Sequence, residues 1–181
     1  MSSEKNKIIL GVTGGIAAYK SADLCSKLTK EGYDVHVIMT ENAQHLITER
    51  CFLTLSRNPV VCSLWDVPDW KPEHIELSEE ADLLVVAPCT ANFIGKYTHG
   101  IADDALTTTA LAFAGEVLLA PAMNTRMWNA PAVQANCAIL KERGVHFVGP
   151  AGGRLACGDI GLGRMSGVSD ILYEIKKLLP L

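Results

Sequence analysis

The sequence predicts an α/β protein built on a Rossmann-like, doubly wound parallel sheet, a three-layer α/β/α architecture without repeats or linkers. Three features carry this prediction. Strand-like and helix-like segments alternate along the chain. Residues 82–88 (DLLVVAP) form a continuous apolar run of the kind that strands covered on both faces require. Glycines and small polar residues stand where strands hand over to helices.

Taken in order, residues 7–13 (KIILGVT) form an apolar, β-prone run that ends at glycines, where a helix begins. That helix is predicted over 15–31, with Ala17, Ala18, Leu24 and Leu28 packing inward and Gly32 as its left-handed stop. Residues 34–40 (DVHVIMT) read as the second strand, 48–57 as a helix and 59–64 as a short strand. Residues 65–73 are polar, bear Trp and Pro, and read as a surface loop. The buried run 82–88 is expected at the sheet centre. Helices over 90–97 and 104–113, a buried strand over 116–120, a helix over 131–143 opened by Pro131 and closed by Gly144, and a short strand at 146–148 follow. Residues 149–167 are so rich in glycine that they read as an irregular, mobile flap, and 169–179 as a closing amphipathic helix.

At 181 residues and 19.5 kDa the chain fits one compact domain, 1–181, able to bury a core without staples. With a net charge of -4, and Lys and Arg scattered rather than striped, the sequence advertises no surface for nucleic acid. The N-terminal residues are polar and lack signal-peptide form, and no apolar stretch approaches the roughly 20 residues needed to span a bilayer, so a cytoplasmic protein is expected. Six cysteines occur without a C-x-x-C pair or Cys/His cluster, which argues against a disulfide framework and against a metal site.

The run from Gly11 to Ile16 places backbone amides and glycines at a helix start, which makes an anion site suited to a phosphate. It is not the G-x-G-x-x-G dinucleotide pattern, and the second strand ends at Thr40 rather than at an acidic residue, so a mononucleotide fits better than NAD. From these residues alone, a glycine turn that only lets helix and strand pack is equally compatible. Small polar residues recur at the strand ends: Thr13, Thr40 and Asn42, Thr90 and Asn92, and Asn124. Each also suits a helix N-cap. His74 stands at a loop-to-helix junction where an imidazole can move protons, and Cys157 lies in the flap where a thiol can meet substrate; taken alone, His74 fits a surface histidine better than a catalyst, and Cys157 by itself assigns no chemistry. The adjacent Asp103 and Asp104 do not face each other on a helix, and a cap explains them better than chemistry.

Four separated stretches, Gly11-Val12-Thr13-Gly14-Gly15-Ile16-Ala17-Ala18-Tyr19-Lys20, His74-Ile75-Glu76-Leu77, Pro121-Ala122-Met123-Asn124-Thr125-Arg126-Met127-Trp128 and Ala156-Cys157-Gly158-Asp159-Ile160-Gly161-Leu162-Gly163-Arg164-Met165, closely resemble the phosphopantothenoylcysteine decarboxylases among the homo-oligomeric flavin-containing cysteine decarboxylases. The resemblance runs in order through nearly the whole chain. It implies FMN as cofactor, held at Gly14, Gly15 and Ile16, at Thr40 and Asn42, and at Thr90, Ala91, Asn92 and Phe93, with Ala122 near the ring. It implies His74 as the catalytic histidine, Asn124 as the group that holds the substrate carboxylate, Cys157 as the proton donor to the late intermediate, and Arg154, Ala156 and Met127 beside the substrate.

The chemistry so implied is removal of the cysteine carboxylate of phosphopantothenoylcysteine on the route to coenzyme A. Flavin oxidises the thiol to a thioaldehyde, carbon dioxide leaves to give an ene-thiolate, and the electrons return. The resemblance further implies a trimer, or a dodecamer of trimers, in which His74 reaches a neighbour's flavin, and a phosphopantothenoylcysteine synthetase supplied by a separate protein. Peptidyl-cysteine decarboxylases share the Asn and His stretches but are not expected to carry the Cys-bearing flap. Flavin prenyltransferases share the fold and FMN but not the Pro-Ala-Met-Asn stretch. A non-catalytic regulatory flavoprotein would need lost catalytic residues or acidic tails, and this sequence has neither feature.

Overall fold

A computed structural model of the chain describes residues 6–65, 73–154, 158 and 160–181, excepting the side chains of 73–76. Strands β1 (Lys7–Val12), β2 (Asp34–Met39), β3 (Val60–Val61), β4 (Leu83–Cys89), β5 (Glu116–Pro121) and β6 (His146–Phe147) form one sheet in the order β3-β2-β1-β4-β5-β6. Every pairing in it is parallel. The winding reverses between β1 and β4, and a crevice opens there beyond the carboxyl ends of the strands. All seven residues of β4 are buried, so this strand must be apolar throughout, as its sequence is.

Helices α1 (Ala18–Glu31), α2 (Glu41–Gln44), α3 (Glu49–Ser56), α4 (Glu73–Glu80), α5 (Ala91–Thr98), α6 (Ala105–Ala112), α7 (Thr125–Trp128), α8 (Pro131–Glu142) and α9 (Val168–Leu178) complete the order. One core, with Leu24 and Leu28 of α1, Phe52 of α3 and Ile171 and Ile175 of α9, covers one face of the sheet. A second, with Phe93 of α5, Leu106 of α6 and Leu140 of α8, covers the other. Gly32 ends α1 at φ 108°, where its N–H reaches the carbonyls of Leu28 and Thr29. Asp104 caps α6 in a reciprocal box with Thr107, while Asp103 pairs with Lys96 at 2.7 Å, so the two carboxylates serve structure.

The structure corrects the sequence reading in four places. Helix α1 begins at Ala18 rather than at residue 15, because the chain turns first through Gly15 N–H to Thr13 O (2.8 Å) and Ala18 N–H to Gly15 O (2.8 Å). The short helices α2 and α7 were not expected; four residues are too few to show a periodicity. The strands at 59–64 and 146–148 shorten to the residues that pair with β2 and β5. Within the glycine-rich segment the described residues are not all irregular: β7 (Ala151–Arg154) and β8 (Ile160–Arg164) pair as an antiparallel hairpin.

The glycines of that hairpin answer to contact and backbone conformation. Gly163 has φ 148°, and a Cβ there would stand 2.2 Å from the Met123 carbonyl oxygen; a Cβ at Gly161 would stand 2.6 Å from Thr125 Oγ1. Of the predicted loop at 65–73, positions 66–72 lie outside the described residues; Trp65 is exposed. Among the described residues no helix is long and apolar enough to cross a membrane.

Candidate active site

The ends of β1 and β4 are tied together by Thr13. Its buried hydroxyl donates to Pro88 O at 2.7 Å and accepts the Thr90 N–H at 3.1 Å. Ser21 donates to Ala87 O at 2.5 Å and clamps the first turn of α1 onto the same edge. Between these struts runs the Gly14–Gly15–Ile16–Ala17 turn. Among the described residues the amides of Gly14, Ile16 and Ala17 make no hydrogen bond, so donors gather at the start of α1. Gly14 is glycine because a Cβ would stand 2.4 Å from Asn42 Cβ, which brings helix α2 against this turn.

A cavity of about 720 Å³ opens there, in the range of small-molecule sites. It is walled by Gly14, Gly15, Ile16 and Thr90 from the strand ends, Ala122, Asn124 and Met127 after β5, Tyr19 and Lys20 of α1, and Arg154 and Arg164 of the hairpin. The Met123 N–H donates to Gly163 O at 2.9 Å, which fastens the hairpin to the loop that carries Asn124. Asn124 caps α7: its Oδ1 accepts the Arg126 N–H at 2.8 Å, which fixes the amide plane.

Most predicted residues therefore converge. Gly14, Gly15, Ile16, Thr90, Ala122, Asn124, Met127 and Arg154 share one cavity wall. Thr40 follows β2 and does not line the cavity; its buried hydroxyl caps nothing and has no partner among the described residues. Asn42 is exposed in α2, and Ala91 and Asn92 open α5. Phe93 departs from expectation. Its ring is 1% exposed within the core and stacks on Tyr97, so that position can offer a ligand only its backbone, and its N–H already points to Thr90 Oγ1 at 3.5 Å. His74 is the second residue of α4, and its side chain lies outside the described residues; so do Cys157 and Ala156.

Tyr19, Lys20 and Arg164 are cavity residues that the sequence reading assigned no role, although the first two belong to the stretch after β1 and Arg164 to the flap stretch. The structural cysteines are poor nucleophiles. Burial pushes the Cys25 thiol up to about 11, and also raises Cys89 and Cys137 above the ordinary thiol range.

A mononucleotide fits these residues. The unbonded amides at the start of α1 suit its phosphate. A crevice at the switch point, glycines that open the backbone and neutral donors at the strand ends define a mononucleotide-binding α/β protein. Comparison narrows the class. The flavoprotein family model matches residues 1–180, and the chain belongs to that family.

Among curated relatives, a protein of Streptococcus mutans described as a probable phosphopantothenoylcysteine decarboxylase is 43% identical over 176 residues, covering 96% of this chain and 98% of that one. The coenzyme A biosynthesis bifunctional protein CoaBC of Bacillus subtilis is 45% identical over 94% of this chain, which spans only 42% of that longer relative. Among solved structures, a Cys-to-Ser mutant of PPC decarboxylase complexed with pantothenoylaminoethenethiol superposes with a TM-score of 0.86 at 32% identity, covering 96% of this chain and 98% of that one. The FMN-dependent cysteine decarboxylase SpaF superposes at 0.81, also at 32% identity, covering 96% of this chain and 97% of that one.

Proposed function

We propose that this protein is an FMN-dependent carboxy-lyase that converts phosphopantothenoylcysteine to phosphopantetheine in coenzyme A biosynthesis. The observation that carries this reading is the single cavity in which the Gly14–Ile16 turn, the Asn124 loop and the hairpin meet, in a chain that matches a decarboxylase end to end.

Gly14, Gly15, Ile16, Thr40 and Thr90 would hold the FMN, with Ala122 near the ring. Bound FMN supplies a two-electron acceptor and donor, the electron sink that a cysteine carboxylate lacks. Asn124, fixed through Arg126 N–H, is a neutral amide donor that orients the carboxylate. Met165, buried at the cavity wall, adds an apolar surface there, and a subunit covering Ile16 and Met127 would keep water from stabilising the negative charge that must leave. Cys157, beyond β7, gives the proton that completes the product, and His74 serves as acid or base.

The unit acts in the cytoplasm as a homo-oligomer, a trimer or a dodecamer of trimers, with His74 directed to a neighbour's flavin. The exposed apolar rim of the cavity, Ile16 at 65% and Met127 at 49%, supports a subunit covering it. The test is incubation of the FMN-loaded protein with phosphopantothenoylcysteine. Equimolar carbon dioxide and phosphopantetheine are expected. Absence of both overturns the reading, and release of carbon dioxide only from peptides ending in cysteine reassigns the substrate.

A further inference from the structure

The pairing of β1 with β4 ends at Gly11 opposite Val86, and the register of β4 against β5 shifts between Val86 and Cys89. The carbonyls that follow are met one by one. Cys89 O accepts the Ala122 N–H at 2.9 Å, Pro88 O accepts the Thr13 hydroxyl at 2.7 Å, and Ala87 O accepts the Ser21 hydroxyl at 2.5 Å. Of these three donors, the last alone belongs to a helix.

Ser21 is fully buried and stands one turn beyond Ala17. Among the described residues it makes the one side-chain hydrogen bond from α1 to the sheet. The other contacts of α1 with the strands are apolar, through Ala18, Leu24, Cys25 and Leu28. Apolar packing is not directional, so it sets the height of the helix over the sheet better than its position along the strands. A hydrogen bond fixes both distance and angle. The N-cap position supplies no such restraint, since Ala17 has no side-chain acceptor, and the amides of Ile16 and Ala17 are left open.

We propose that Ser21 is a positioning residue for the cofactor phosphate. By anchoring the first turn of α1 to Ala87, it sets where the open amides of Ile16 and Ala17 stand over the strand ends. It thereby sets how much more tightly FMN binds than the same flavin without its phosphate. The inference rests on the reading of this turn as the phosphate site and deepens it, because it assigns the selectivity of the turn to a side chain that touches no ligand. A purely structural role for Ser21 would cost stability and leave the choice between the two flavins unchanged.

The test titrates flavin-free wild type, Ser21→Ala and Leu28→Val with FMN and with riboflavin by flavin fluorescence, and records the thermal unfolding of each. Leu28→Val trims the apolar packing of the same helix farther from the site and keeps the Ser21 bond. Ser21→Ala is expected to weaken FMN about tenfold and riboflavin less than about twofold, so that the preference for FMN shrinks. Leu28→Val is expected to lose stability and keep the wild-type preference. A Ser21→Ala protein with the wild-type preference, whatever its stability, overturns the role of Ser21 and leaves the phosphate site intact. A Leu28→Val protein that loses the preference to the same degree overturns it as well. A wild type that binds both flavins alike removes the phosphate reading itself and the inference with it. Where Ser21→Ala fails to fold, Ser21→Cys, which keeps the shape with a much weaker donor, decides the question by the same ratio.

Discussion

Two glycine-rich segments face each other across the cavity, and they use glycine for different ends. At Gly15 the nearest atom to a Cβ, Pro88 Cγ, would stand at 3.5 Å, so glycine there keeps a turn open beside the unbonded amides of Ile16 and Ala17, whereas Gly14 also lets Asn42 approach. In β7 and β8 the glycines bring two pieces of chain into contact: Gly163 lies against the Met123 carbonyl, Gly161 against Thr125, and Gly153 under Arg164. The Gly15 pattern leaves backbone groups open, and the hairpin pattern removes side chains so that β7 and β8 can seat on the loop that carries Asn124. Composition alone does not separate them; what a missing Cβ would have touched does.

That contrast can be broken at defined positions. The largest effect is expected for Gly163→Ala, where a Cβ 2.2 Å from a backbone oxygen at φ 148° forces either the hairpin or the Asn124 loop to move. Calorimetry should show a loss of about 3 kcal/mol, and turnover should fall about a hundredfold as Asn124 is displaced. Wild-type turnover would mean that the hairpin does not set Asn124.

Next comes Thr13→Val. It leaves the Thr90 amide and Pro88 carbonyl without their buried partner, and thermal unfolding should report a loss of about 2 kcal/mol. A change of similar size is expected for Gly14→Ala, whose Cβ would stand 2.4 Å from Asn42 Cβ and 3.0 Å from its backbone carbonyl carbon; thermal unfolding should show a loss of about 2 kcal/mol and FMN titration an affinity weakened about tenfold. The smallest is Gly152→Ala. This hairpin glycine has no positive φ, and the nearest atom to its Cβ, Leu162 Cδ2 at 3.8 Å, is an ordinary contact, so stability should change by less than about 0.5 kcal/mol. A large loss there would refute the view that contact, rather than glycine content, governs the hairpin.

The sheet was legible because its signals are local and strong. The unbroken apolar run of β4 and the glycine stops at Gly32 and Gly144 each act within a few residues, and each stands where it was expected. The site was legible as a list of strand ends, since a doubly wound sheet must bring those ends together. The hairpin was not legible, because its stability resides in backbone approach to Met123 and Thr125, more than 35 residues earlier in sequence. Phe93 shows the same limit at a single position: on a short helix, sequence does not say whether an aromatic ring turns toward the ligand or into the core. Arg164 went unassigned because its placement depends on a void at Gly153 across the strand pair.

The central claim is that neutral donors at the start of α1 hold a mononucleotide phosphate. It is tested most directly by titrating flavin-free protein with FMN and, separately, with riboflavin, following flavin fluorescence. The account predicts saturable binding of FMN at least about a hundredfold tighter than that of riboflavin. Equal affinity for the two, or no saturable binding of either, would contradict it.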